Sequence, residues 1–312
     1  MTQGAATTTP THLVLEPSRV HRSPTVETLR RLTRHRSARV GALLLGLLVF
    51  IAIFAEQIAP YDPIKVLADV HRRDVPCIHL LGCPADQPEH IFGVDGNSRD
   101  LFSRIIFGSR LSLEIGFTTT LFAILIGTLL GAIAGYAGGW SDNLIMRVMD
   151  VLLAFPSLLL AIAIVAVLGP GLVNALLAIG IVSIPVYARL VRGSVLSVKE
   201  QDFVQASRSV GASPLRLLFR HILLNALTPI IVQGTLGIAT AILDAAALGF
   251  LGLGAQPPTP EWGLMLAEER NSVFNAFFLV FFPGLGIMLT VLSFNLIGDG
   301  LRDALDPRLR VD

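Results

Sequence analysis

The chain has 312 residues, 53% of them hydrophobic and only 15% charged, with a formal net charge of +1 and a mean hydropathy of +0.67. Soluble domains carry about 25% charged residues, so this chain, long enough for two ordinary domains, has too few charges to coat two water-soluble globules. Near-neutral charge excludes a basic nucleic-acid binder, and two cysteines are too few for a disulfide scaffold or a four-ligand zinc site, which leaves an all-α, multi-pass membrane protein.

In chain order, residues 1–38 are rich in Thr, Ser, Pro and Arg and lack apolar periodicity, so a mobile tail is expected there. A membrane crossing needs about 20 apolar residues. The run Val40–Ala55, with Gln57–Ala59 at its far end, supplies the first span, residues 39–59. No A-x-A site follows it, and nearly forty residues precede it, so it reads as an uncleaved anchor. A long loop, 60–111, leads to the second span, Ile115–Ser141. The 38-residue run Val151–Ala188 is long enough for two crossings and is punctuated by Gly169, Pro170 and Gly171, so a helical hairpin is expected. After an inner loop at 189–221, Ile222–Leu243 and Asn271–Gly298 complete six spans, and 301–312 forms a second tail.

Orientation follows from Lys and Arg placement. With both termini in the cytoplasm, inner segments hold 17 of the 24 basic residues, and six of the other seven sit among acids in the 60–111 loop.

Four spans contain a proline, at Pro156, Pro185, Pro229 and Pro283, so kinked helices are expected. Gly127, Gly131 and Gly135 form a stripe at four-residue spacing, which lets another helix approach closely. Asp150 and Asp244 border apolar runs, where a charge costs about 2.5–3.5 kcal/mol by insertion scales. Arg147 is a helix-spaced partner for Asp150, whereas Asp244 has no base within four positions and is a candidate for cavity lining.

Neither lysine, Lys65 or Lys199, follows a glycine, so no phosphate loop is present; H-E-x-x-H and G-x-S-x-G are absent too. The chain therefore carries no nucleotide site, metal centre or catalytic residue of its own. Cys77, His79, Cys83 and His90 share the 60–111 loop, and a Cys77–Cys83 disulfide is favoured there over a metal.

The 189–221 loop differs in kind. Phe203, Val204, Ala206 and Val210 give an apolar face on a short helix stopping at Gly211. Ser213 and Pro214 restart a helix as N-cap and first-turn proline, and Leu215–Phe219 with Arg216 and Arg220 runs into the fifth span. Such an element suits a groove on another protein or the lipid surface.

The stretch Gln205–Leu224, with its Gly-Ala-Ser-Pro-Leu-Arg-Leu-Leu-Phe-Arg-His-Ile-Leu run from Gly211, resembles the EAA loop of ABC importer permeases, and most of all the dipeptide/oligopeptide/nickel branch. Three more segments are similar to that branch: Phe92–Arg104 with Gly108 and Arg110, Ala247–Gly254, and Asn295–Arg308. The resemblance spans roughly residues 40–310. Gln205 replaces the motif's Glu, Ser207 its second Ala and Leu224 its usual Pro. The 60–90 segment also looks longer than is usual in the branch. The resemblance implies a type I ABC importer permease fold of six transmembrane helices in a bacterial inner membrane. It implies a second homologous permease, an extracytoplasmic binding protein, and two ABC ATPases that carry the ATP and Mg. The ATPases would dock on Phe203, Gln205, Ala206, Ser207, Gly211, Ala212, Ser213, Pro214 and Arg216. The implied cargo is small peptides, with nickel chelates or glutathione as alternatives. A stand-alone secondary transporter is disfavoured, because the chain shows no internal repeat.

Overall fold

The computed structural model describes residues 35–305, so the expectations for the 1–34 part of the first tail and for 306–312 lie outside the described residues. Among the described residues the regular structure is helical, with two isolated β-bridges, Cys77–His90 and Val94–Asp100. Five helices are long and apolar enough to cross a membrane, and a sixth crossing exists if one sharply bent pair counts as a span.

Helix α1 (Arg36–Ile53) turns Leu43, Phe50 and Ile53 outward, a face suited to lipid. Its inner face is small: a Cβ on Gly41 would stand 2.8 Å from the Ser293 carbonyl oxygen.

Helix α2 (Leu101–Ala137) begins well before the expected Ile115 and inside the expected 60–111 loop. Asp100 caps it, accepting from the Ser103 amide at 2.7 Å. Arg104 and Arg110 suggested a loop because lipid cannot hold them, but here the helix runs past the membrane. Its 37 residues span about 55 Å, against a hydrocarbon core of about 30 Å.

The expected third span is broken, not continuous. Helix α3 (Gly139–Leu153) meets α4 (Ser157–Leu168) at a 93° bend. Pro156 causes the break: it disfavours helical geometry at Phe155 and supplies no amide hydrogen. The 12 residues of α4 reach only about 18 Å, too short to cross alone.

Gly169 and Gly171 turn the chain with φ of 92° and 150° into α5 (Leu172–Lys199), which contains Pro185. This helix continues eleven residues past Ala188, so the first third of the expected 189–221 loop is helical. Arg189 and Arg192 extend it because they face acids on α3. Arg189 pairs with Asp150, which corrects the expected Arg147 partner, and the Arg192 Nη2 reaches Asp142 Oδ2 at 2.6 Å.

The glycine stripe seats α2 on α5. Cβ atoms at Gly127 and Gly135 would stand 2.6 Å from Tyr187 Cβ and 2.9 Å from Val195 Cβ, and one at Gly131 would collide with the Ala188 carbonyl. The partner of the stripe is thus a helix of the same chain.

A short helix α6 (Asp202–Ser209) and a π-helical turn at Leu217–Ile222 lead to α7 (Leu227–Phe250). Pro229 falls in the first turn of α7, where its missing amide is unneeded, so it makes no kink. Helix α8 (Trp262–Glu269) lies in the connection to α9 (Phe278–Leu305), which contains Pro283. Of the four prolines, only Pro185 and Pro283 lie in a helix interior, beyond the first turn.

Candidate functional site

Helix α6 ends in a Schellman arrangement: the Gly211 amide donates to Arg208 O at 3.0 Å and the Ala212 amide to Ser207 O at 3.1 Å. Gly211 takes φ +84°, a left-handed value that glycine reaches without steric cost. Ser213 stands at the N-cap position with Pro214 at the first helical position, though the serine side chain makes no capping bond.

The apolar face expected on α6 is split. Val204 is fully buried and packs with Val191, Val195, Leu217 and Ile222. Phe203 and Val210 point outward with 39% and 86% exposure, next to Leu215 at 70% and Phe219 at 56%. Ala206, Ser213, Pro214 and Arg216 are exposed; Ser207 and Ala212 are half-buried. Gln205 folds back on its own helix, its Nε2 donating to Lys199 O at 3.2 Å, and Ser207 Oγ donates to Phe203 O. Lys199 Nζ in turn donates to Gly135 O at 3.1 Å, so the base of the element is tied to the end of α2. Val204 acts as a plug, and the outward residues form a knob of about two helical turns on either side of Gly211.

The opposite end of the molecule is closed by charges that the sequence reading did not assemble. Arg99 bonds Asp95 Oδ2 at 2.6 Å and Glu268 Oε2 at 2.9 Å. Arg104, 1% exposed at its side chain, lies 3.4 Å from Asp95 and 3.3 Å from Glu268 and donates to the Pro63 and Pro258 carbonyls. Glu269 accepts from the Gly96 amide at 2.6 Å and from Arg73 at 3.3 Å. His90 Nδ1 meets Asp100 Oδ1 at 2.8 Å. Glu261 caps α8, accepting from Gly263 and Leu264 amides at 2.8 and 2.7 Å. Burial pushes its carboxyl up to about 7, although the two amide bonds pull it down. The one signal available in the sequence was the run of charges at Asp95–Arg104 facing Glu261–Glu269 across two connections on the same side.

In that cap a disulfide joins Cys77 and Cys83, with Cα atoms 5.4 Å apart. The bond occupies both sulfurs, so neither is free to ligate a metal. Asp244, on α7, is half-buried with no ion-pair partner among the described residues.

A helical membrane body with a short helix pair projecting at one end defines the transmembrane subunit of an ABC importer with a type I permease fold. The same fold is found in the inward facing MetNI methionine ABC transporter, with a TM-score of 0.54 at 20% identity over 66% of this chain and 98% of that one. Residues 127–311 match the family described as the binding-protein-dependent transport system inner membrane component, and residues 23–76 match the N-terminal transmembrane domain of oligopeptide transport permease C. The chain belongs to this binding-protein-dependent permease family. It is 51% identical to the dipeptide transport system permease protein DppC of Alkalihalophilus pseudofirmus, over 92% of this chain and 91% of that one. It is 50% identical to the di/tripeptide permease DppC of Pseudomonas aeruginosa, over 95% and 96%. Identity to the glutathione transport system permease protein GsiD of Escherichia coli is 49%, over 95% and 94%.

Proposed function

We propose that the chain imports small peptides as one of two permease subunits of an ATP-driven transporter, seated in a bacterial inner membrane with both termini in the cytoplasm. The observation that carries the coupling role is the knob around Gly211: a rigid, capped element with Phe203 and Val210 exposed, anchored through Val204 and Lys199. In this reading two ATPase subunits hold ATP and Mg and receive Phe203, Gln205, Ala206, Ser207, Gly211, Ala212, Ser213, Pro214 and Arg216. Their closure moves the knob as a rigid body. Because Val204 packs on α5 and the glycine stripe locks α5 to α2, a push at the knob displaces two spans together. A binding protein outside delivers the cargo to the pathway between this chain and a second homologous permease.

Peptide cargo rests on the dipeptide and di/tripeptide relatives, and the glutathione relative at nearly the same identity favours a second reading by the same mechanism. Purifying the cognate binding protein and identifying what it retains by mass spectrometry, then measuring ATP-dependent uptake of labelled dipeptide and glutathione into proteoliposomes holding all the subunits, decides between them. Uptake that persists without ATP, or no uptake of either cargo, overturns the proposal.

A further inference from the structure

Gln233, Gly237, Thr240 and Asp244 succeed one another on α7 at steps of four, three and four residues, so they share one face of the helix. Thr240 is exposed and the other three are half-buried. The buried Tyr187 of α5 covers the Gln233–Gly237 end of this face, its hydroxyl 3.5 Å from the Gln233 carbonyl, so the Thr240–Asp244 end is the part left uncovered by that ring. Asp244 is the eighteenth of 24 residues, about 26 Å from the start of the helix. No charged side chain of the described residues stands beside it. Leu243, the preceding residue, is exposed.

A lone carboxylate this far along a membrane helix is tolerated where it meets water or a cation, and intramembrane acids mark substrate pathways. We infer that the Thr240–Asp244 part of this face lines the translocation pathway and that Asp244 binds the free α-ammonium group of the cargo. This rests on the proposed import of peptides. Dipeptides, tripeptides and glutathione differ in side chains and length but share an ammonium group, so a single acid serves them all. One carboxylate without further charges also binds weakly, as a pathway requires: attraction must admit the cargo without holding it. The position, about three-quarters along α7 from the end that carries the knob, places this contact on the side where a binding protein releases its load.

The test is uptake of labelled Ala-Ala into proteoliposomes carrying the complete transporter with saturating binding protein. Asp244→Asn and Asp244→Glu are compared with the unaltered chain at equal amounts of co-purified assembly. The expected result is a fall of about tenfold or more for Asn, the size of a lost charge-assisted bond, and near-normal uptake for Glu. Asn within twofold of the unaltered rate overturns the assignment, as does recovery of the Asn variant when a Lys or Arg of the second permease is neutralised, which would make Asp244 an inter-subunit ion pair. If the unaltered transporter takes up no dipeptide or glutathione, the peptide reading itself has failed, and that outcome is separate from any effect of Asp244.

Discussion

The two ends of the molecule handle their exposed chemistry in opposite ways. At the capped end, Asp95, Arg99 and Arg104 are 5% exposed or less, yet each charge has an opposite partner inside the chain. At the end that carries the knob, Phe203, Val210, Leu215 and Phe219 stay exposed although they are apolar, and Val204 alone of the α6 residues is buried. A buried network that satisfies itself fixes a shape without help. An apolar knob left in water is a surface awaiting a protein. The cap is finished within this chain, whereas the knob, on the proposed function, is finished by a partner.

The sharpest way to break that contrast is Arg104→Met. The arginine connects Asp95 and Glu268 with the Pro63 and Pro258 carbonyls, so its loss leaves buried carboxylates short of a partner. Breaking a buried pair costs about 3–5 kcal/mol. The variant should lose most of its folded protein in detergent, seen as a collapsed monodisperse peak and a lower melting temperature, whether or not partner subunits are present. Gly211→Val should behave in the opposite manner. Space around Gly211 is open, so only the left-handed backbone resists a side chain, at about 1–2 kcal/mol. The isolated chain should insert and melt normally, while ATP-dependent uptake by the assembled transporter is abolished. Normal uptake at matched expression would remove the coupling role from this element.

The same contrast explains what the sequence could and could not disclose. Apolar runs, the Gly169–Gly171 turn, the glycine stripe and the Gly211 stop are local signals, and each corresponds to an observed feature. Helix ends were misplaced wherever charges were satisfied by tertiary partners. Arg104 is held by Asp95 and Glu268, 164 residues from the latter, so α2 begins at Leu101 and not in the apolar run. Arg189 and Arg192 find Asp150 and Asp142 on α3, so α5 outlasts its apolar stretch. Asp150 chose a partner across two helices over the helix-spaced Arg147, a pairing that periodicity cannot reveal. Pro156 divided a run that composition alone showed as continuous. The knob's lone plug, Val204, and its outward neighbours belong to one apolar pattern, which only packing separates.

Glu261 gives a milder test of the cap. Its folded carboxyl lies near 7, above its ordinary 4.5, so the fold favours the protonated form. The resulting contribution to stability is fully present below about 4.5 and fades as pH rises through about 7, on the order of 3 kcal/mol across that window. Melting temperature measured in detergent should therefore fall between pH 5 and pH 8. Glu261→Gln keeps a side-chain acceptor for the α8 amides but cannot ionise, so its curve should be flatter over the same range. An equal slope for both proteins would mean that the ionised carboxylate is accommodated beside Gly249 without cost.

The smallest effect is expected at the disulfide. Cys77 and Cys83 close a loop of six residues, which restrains the unfolded chain by about 2 kcal/mol on the chain-entropy estimate. The rest of the cap does not depend on that link. Backbone bonds between Cys77 and His90 at 2.8 and 2.9 Å, and the His90–Asp100 contact, hold the strand crossing to the start of α2 whether or not the sulfurs are joined. What the bond restrains is the tip, where Leu80 and Leu81 are 94% and 80% exposed. Replacing both cysteines by serine should leave uptake unchanged and increase protease cleavage between residues 78 and 82. Loss of uptake, together with a stoichiometric metal in the unaltered protein that the double variant lacks, would instead make Cys77, His79, Cys83 and His90 a ligand set and show that the cap, like the knob, is completed from outside the chain.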